Sequence, residues 1–393
     1  MKIRLVLLFA LLLLVSGCFQ RSVKIGVALP LSGASTPRGQ EILNAVMLAV
    51  EDVNQYGGVQ GRKVELVMED DSDSPEAGRK AAQSLIRRDV IGVVGHYSSD
   101  VTLAALPLYI EAETALVSAS VSLSRIPAEG ETFFRTLGSN ALQAEAAARF
   151  IQASGFTRIA IVRNPSLYGR DLSERLQFSL KSAKVQQLLL EDGGAAIDQL
   201  KNYLPELVFY AGGYQDASRF WARLRETGLQ PALMGGNTLH DSEFIRLLGL
   251  SAIREVWLTS GKHPPEAFLK RYRQRFGRPG PFSAYAYDAA RLLLSAAEQA
   301  KTLNAASVRA ELAGRQLYQG LTGAILLEPF AAAKAGSMAG FSVLAISPQG
   351  QFVPAVPLRP LYGSSGQTAG SWARTALSSA AGVKKPKAEA RQP

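Results

Sequence analysis

Short apolar runs alternate with amphipathic stretches over most of this chain. Lys24-Ile25-Gly26-Val27-Ala28-Leu29 is a nearly continuous apolar run, closed by Pro30 and the Ser32-Gly33 turn, the pattern of a strand buried on both faces. Ile42, Ala45, Val46, Ala49 and Val53 then recur at helical spacing until Gly57-Gly58 stops the helix. Residues 63–68 alternate as a strand, and Ser74-Pro75-Glu76 opens a helix with a capping hydroxyl and a proline in the first turn. Residues 91–94 and 115–118 predict two further strands. A second set follows, with helices over 140–154, 172–182 and 217–227 set among strands at 159–162, 185–190, 207–210, 232–234 and 256–258. Helices over 266–276 and 283–300 come next, then three weaker strands near Ala324, at 341–346 and near Phe352.

Strict alternation of strand and helix argues for an α/β protein whose parallel sheets are covered by helices on both faces. A single sheet with this many strands would be large, so the pattern predicts two lobes. The chain is long enough for both, with 393 residues of which 47% are apolar. No internal repeat is evident, and no glycine pattern has dinucleotide or phosphate-loop spacing.

The N-terminus reads differently. Lys2 and Arg4 precede an unbroken apolar run from Leu5 to Val15, which ends in Ser16-Gly17-Cys18. A basic head, a short apolar stretch and small residues make a secretory signal, and the run is too short for a retained spanning helix. Val15-Ser16-Gly17-Cys18 looks like a bacterial lipobox, in which cleavage before the cysteine leaves it N-terminal and lipid-modified. The alternative is a signal peptide whose cysteine is incidental. Cys18 is the only cysteine in the chain, placed where a lipid would attach, which favours a lipoprotein held at the membrane outside the cytoplasm. A lone cysteine also excludes an internal disulfide, so stability rests on burial.

The formal charge is +10, but Lys2 and Arg4 leave with the signal. The stretch after Tyr362 carries Arg374, Lys384, Lys385, Lys387 and Arg391 against Glu389, so about +4 remains on the folded core, a mild value that gives no nucleic-acid footprint. Residues 363–393 are rich in Ser, Ala, Gly and Lys, and are expected to be a disordered basic tail.

Several segments resemble the type I periplasmic binding proteins typified by the leucine/isoleucine/valine-binding protein. They are Ile25-Gly26-Val27-Ala28-Leu29-Pro30-Leu31-Ser32-Gly33, Gly57-Gly58-Val59-Gln60-Gly61-Arg62, Asp70-Asp71, Val94-Gly95-His96, Tyr168-Gly169, Gly212-Gly213-Tyr214 and Tyr287-Asp288-Ala289. Each is weak alone; their order and spacing carry the resemblance. It implies two Rossmann-like lobes joined by three hinge crossings, with a ligand cleft between. The expected organisation is a signal at 1–17, a first lobe from 22–138 plus 261–340, and a second from 139–260 plus 341–362. The crossings fall near Gly138, Ser260 and Gly340.

The same resemblance implies the ligand chemistry. Ser99 would hold a ligand carboxylate, with a carbonyl and a hydroxyl supplied at Ser120 and Ser122. Ser98-Ser99-Asp100 opens a helix, where free N–H groups and the positive end of the dipole favour an anion. From the second lobe, Tyr168 and Tyr214 would close over the ligand. Two positions depart from the family. Asn237 is neutral where amino-acid binders carry a carboxylate for the ligand ammonium, while Asp241 is expected to open the next helix. Arg38 stands where the family has an aromatic, which favours an anionic or carboxylate-rich ligand; the alternative is a solvated residue at a helix N-terminus.

The expected role is thus the substrate-binding lipoprotein of an ABC importer, which captures an amino acid or related small carboxylate and presents it to membrane permease subunits. A sensory protein of the same fold and a ligand-free scaffold lipoprotein are the alternatives. No cofactor is expected. His96, His240 and His263 lie in separate segments without metal-ligand spacing, and no nucleophile elbow or triad is present, so an enzyme is not expected. Glu69 and Asp70-Asp71 read as exposed carboxylates at a strand end.

Overall fold

The computed structural model describes residues 21–181, 185–253, 255–327 and 340–357; the signal, Cys18 and the basic tail lie outside them. The first sheet contains β1 (Val23–Leu29), β2 (Val64–Asp70), β3 (Val93–Gly95), β4 (Leu116–Ser118) and β5 (Phe133–Arg135), in the order β2-β1-β3-β4-β5. All of its pairings are parallel. Parallel neighbours require crossovers, here made by α1 (Thr36–Gln55), α2 (Pro75–Arg87) and α3 (Ser99–Glu111).

Period-two alternation places both faces of this sheet in apolar surroundings. From β1, Val23, Ile25, Val27 and Leu29 pack toward α1 and a later helix, α10 (Ser283–Gln299). Ala28, with Val93, Leu116 and Phe133 of its neighbours, packs on the opposite face against Leu85 and Leu106. Fully burying side chains of this size contributes about 1.5–3 kcal/mol each, which is how a cysteine-poor chain sustains two cores.

After β5 the chain enters α4 (Asn140–Ala153) and builds a second lobe from β6 (Arg158–Arg163), α5 (Leu167–Ser179), β7 (Gln186–Glu191), α6 (Gly194–Tyr203), β8 (Leu207–Ala211), α7 (Tyr214–Glu226), β9 (Ala232–Gly235), α8 (Ser242–Leu248) and β10 (Val256–Ser260). Strand β8 shows the same division, with Val208 and Tyr210 on one face and Leu207, Phe209 and Ala211 on the other. The chain then returns through α9 (Glu266–Phe276), α10 and α11 (Ala305–Ala313), and α10 packs against α1 of the first lobe. A small hairpin, β11 (Leu317–Gly320) with β12 (Gly323–Leu326), follows. Finally β13 (Ser342–Ile346) and β14 (Phe352–Pro354) join the second sheet antiparallel, giving the order β14-β13-β10-β9-β8-β6-β7.

Two lobes with helix-covered sheets agree with the α/β expectation; the antiparallel edge of the second sheet departs from a wholly parallel one. The helix expected from residue 172 begins at Leu167, because Ser166 accepts a hydrogen bond from the Gly169 N–H at 3.0 Å and starts it a turn earlier. Asp71 is not an exposed strand-end carboxylate: it is buried, and its Oδ2 lies 2.7 Å from Nδ1 of the equally buried His96.

Candidate functional site

In both sheets the parallel strands end toward the same crevice, so the helices that follow them present their N-termini to it, as open α/β sheets do at their binding edge. Ser98 caps α3, accepting from the Val101 N–H, and the buried Ser99 is the first helical residue. Asp100, in the same turn, accepts from the Leu167 N–H at 3.4 Å through Oδ2, so the first turn of α3 meets that of α5 across the lobes. Each helix start has N–H groups that no intrahelical carbonyl satisfies, some of them taken by Ser98, Asp100 and Ser166, and about half a positive charge, which suits a carboxylate.

The serines expected to assist differ in what their hydroxyls already do. Ser120 donates to the Tyr97 carbonyl at 2.8 Å. Ser122 is buried and donates to Asn140 Oδ1 at 2.7 Å. Asn140 Nδ2 donates to Asp171 at 2.9 Å, which fixes the amide with its oxygen toward Ser122. Ser122 therefore acts as a strut between the lobes, with its proton committed, rather than as a free donor.

Across the crevice, Tyr168 and Asn237 engage each other. The Tyr168 hydroxyl donates to Asn237 Oδ1 at 3.2 Å and approaches Gln143 Oε1 at 3.4 Å. The same Gln143 oxygen accepts from the Asn237 N–H at 2.8 Å and from Thr259 Oγ1 at 2.6 Å. Gly236 makes this possible, since a Cβ there would lie 2.0 Å from the Tyr168 hydroxyl oxygen. Burial pushes the Tyr168 phenol pKa up, so it remains a neutral donor.

Arg38 is not a solvated helix-start residue. It is 6% exposed, with Nη1 3.0 Å from Glu41 Oε2 and Nη2 2.5 Å from Asp241 Oδ2. Nη2 has no hydrogen bond of proper geometry, so its contact with Asp241 is Coulombic. Its guanidinium sits 5.4 Å from the centre of the Tyr214 ring and 5.6 Å from that of Phe282. Glu41 is anchored independently by the Phe282 N–H at 2.6 Å and by Ser283 Oγ at 3.2 Å. Asp241 caps α8, accepting from the Glu243 N–H at 2.7 Å, and reaches across to the first lobe from there. Burial opposes the arginine charge, but Glu41, Tyr97 and Asp241 more than offset it and hold its pKa above the ordinary value. Two carboxylates flank this one guanidinium, and burial pushes the Glu41 carboxyl upward, so Arg38 is matched by its neighbours and is not a spare cation.

Tyr97, not singled out from the sequence, lies at the centre of this arrangement. Its ring packs edge-on to Phe282 at 5.9 Å, and its phenol is pushed up to about 12 by burial, against the pull of nearby Arg38. Its place directly before Ser98-Ser99 was the available signal. Glu41, three residues from Arg38 on one helix, was equally legible as a pair. The histidines are accounted for locally: His96 also contacts the Tyr109 hydroxyl at 3.2 Å through Nε2, and His240 Nδ1 lies 3.0 Å from Ser260 Oγ. Among the described residues, no group of three or more His, Cys, Asp or Glu side chains is placed to hold a metal.

Comparison with known proteins adds independent information. A family model described as periplasmic binding protein matches residues 22–339. A Leu/Ile/Val-binding protein homolog 1 of Brucella abortus is 25% identical over 292 residues, covering 71% of this chain and 78% of the relative. An amino acid binding protein of Pseudomonas aeruginosa is 26% identical over 290 residues, with 70% and 78% covered. The branched-chain amino acid transporter substrate binding protein LivJ of Streptococcus pneumoniae, solved with isoleucine, superposes with a TM-score of 0.74 at 21% identity over 84% of this chain and 98% of its own. The leucine binding protein LivK of Thermotoga maritima gives 0.73 at 21% identity over 86% and 99%.

Proposed function

Since this chain belongs to the periplasmic binding protein family, we propose that it captures an amino acid or related small carboxylate between its lobes. In this reading it serves an ABC importer, as the substrate-binding component held outside the cytoplasm by lipid on Cys18. The observation that carries the ligand class is the meeting of the α3 and α5 N-termini beside Ser99, where N–H groups and aligned dipoles favour a carboxylate. The carboxyl groups of Glu41 and Asp241 beside this site favour an ammonium on the same ligand. Asp241 then fills the role that neutral Asn237 leaves open, and a zwitterionic amino acid is preferred to a dianion. Curated relatives named for Leu/Ile/Val and amino-acid binding support the same class.

Calorimetric titration with L-leucine, L-isoleucine, L-valine, L-glutamate and the matching 2-oxo acids tests this reading. Tighter binding of an amino acid than of its 2-oxo acid, weakened by Asp241→Asn, is expected. Tighter binding of the 2-oxo acids, or no binding by the panel, would reject it.

A further inference from the structure

A cavity of about 800 Å³ opens on the hinge side of Arg38, between α1, the start of α8, the β10–α9 connection and β13–β14. Of the residues given above to the ligand, Arg38, Glu41 and Asp241 form one wall of it; Ser99, Ser120, Ser122, Tyr168, Tyr214 and Asn237 do not line it. Its volume is that of a pocket for a ligand well above a small amino acid in size. Apolar wall comes from Leu269, Val343, Leu344 and Phe352, with prolines at the rim.

The polar lining is lopsided. Lys262, Arg273 and Arg278 line the cavity along with Arg38, whereas the only lining carboxylates among the described residues, Glu41 and Asp241, are engaged by Arg38. Arg273 has a partner in Glu266, both about half or more exposed, which is a weak constraint. Among the described residues, neither Lys262 nor Arg278 has a carboxylate within ion-pair distance. The local potential is felt by His240, which burial, then Arg38, His263 and Arg278, hold at a pKa of about 4.

We propose that this cavity is a second binding site, adjoining the Ser99 pocket across the Arg38 cluster, for an amphipathic anion: an apolar, preferably aromatic body bearing a carboxylate that meets Lys262 and Arg278. Because the site bridges both lobes and the hinge, its occupant stabilises the closed arrangement whatever occupies the Ser99 pocket.

The test uses the fluorescent probe 2-naphthoate, its neutral analogue 2-naphthamide, and the full-length protein. Saturable binding of 2-naphthoate is expected at a Kd below about 1 mM. The amide should bind about ten-fold or more weakly, since it lacks the charge-assisted contacts. Lys262→Gln with Arg278→Gln should weaken 2-naphthoate by at least about ten-fold while leaving L-leucine titration unchanged, and Ser99→Ala should spare 2-naphthoate. Equal affinity for acid and amide, an unaltered double variant, or parallel loss in Ser99→Ala would each overturn the second site. Apart from the L-leucine control, these outcomes hold whether or not the Ser99 pocket takes an amino acid.

Discussion

Replacing Arg38 by methionine isolates what holds the lobes together. The substitution keeps an unbranched apolar stem near the rings of Tyr214 and Phe282 but deletes the charge that Glu41 and Asp241 share. The arginine and Glu41 side chains are each 7% exposed and that of Asp241 is 16% exposed, so two carboxylates would be left desolvated side by side. Removing one partner of a buried ion pair costs about 3–5 kcal/mol. Where that cost falls is decided by geometry. Asp241 belongs to the second lobe and keeps its cap on α8, while Glu41 keeps the Phe282 N–H and Ser283 hydroxyl in the first. Parting the lobes rehydrates both carboxylates without disturbing either core. The penalty should therefore be relieved by opening rather than by unfolding, which shifts the closed-to-open equilibrium by about a hundred-fold or more. Small-angle scattering should show a larger radius of gyration for ligand-free Arg38→Met, and dyes placed one on each lobe should lose energy transfer. Its Tm should fall only slightly, and Asp241→Asn, which leaves Arg38 paired with Glu41, should open the molecule to a lesser degree. An Arg38→Met protein that stays as compact as wild type but melts far lower would refute the reasoning, because Arg38 would then be holding the first lobe rather than the interface.

Four other outcomes follow from the same geometry. Ser99→Ala should weaken carboxylate binding by about ten-fold with an unchanged apo Tm, whereas Ser122→Ala should lower the Tm, since Asn140 Oδ1 loses its shorter donor and keeps only Gln143 Nε2 at 3.3 Å, a net loss of about 0.5–1.5 kcal/mol. His240 is held neutral in the fold, with a pKa of about 4 against 6.5 when free, so its contribution is complete above pH 6.5 and is lost as pH falls toward 4; His240→Gln should flatten the Tm profile across that window. Gly236→Ala should destabilise by driving a methyl into the Tyr168 hydroxyl, and Tyr168→Phe in that background should restore part of the loss, whereas an additive double variant would place the clash elsewhere. Cys18→Ser should move the protein from the detergent phase to the aqueous phase or leave it unprocessed, and equal partitioning would reject the lipid anchor.

Much of this architecture is visible in one dimension because strands buried on both faces leave continuous apolar runs. Those of β1, β6 and β8 announce themselves, and so do the long amphipathic helices α1, α4 and α10. Short elements leave too little periodicity: β5 is three residues of Phe133-Phe134-Arg135, and α11 is brief with almost no apolar asymmetry. The first turn of α5, Leu167-Tyr168-Gly169-Arg170-Asp171, hides behind a glycine and charged residues. At the site, residue types and helix starts were legible, but their partners were not. Asp241 was legible as a helix cap, and only the closed arrangement of the lobes gives it Arg38. Likewise, Gln143 reads as an ordinary position on an apolar helix, and the converging Asn237 N–H and Thr259 hydroxyl give it its role.

The antiparallel edge of the second sheet has a bearing on biosynthesis. Strands β6 to β10 can pair as soon as they are made, but β13, which covers β10 along the register from Trp257–Ala345 to Ser260–Ser342, comes much later in the chain. Until the ribosome has released it, β10 is a bare edge offering unpaired N–H and C=O groups beside Trp257 and Leu258, the kind of strand that recruits a stranger. A nascent or prematurely terminated chain ending before Ser342 would therefore expose a sticky template that the finished protein never shows. Holding the chain unfolded until its last strands are synthesised would guard against that hazard.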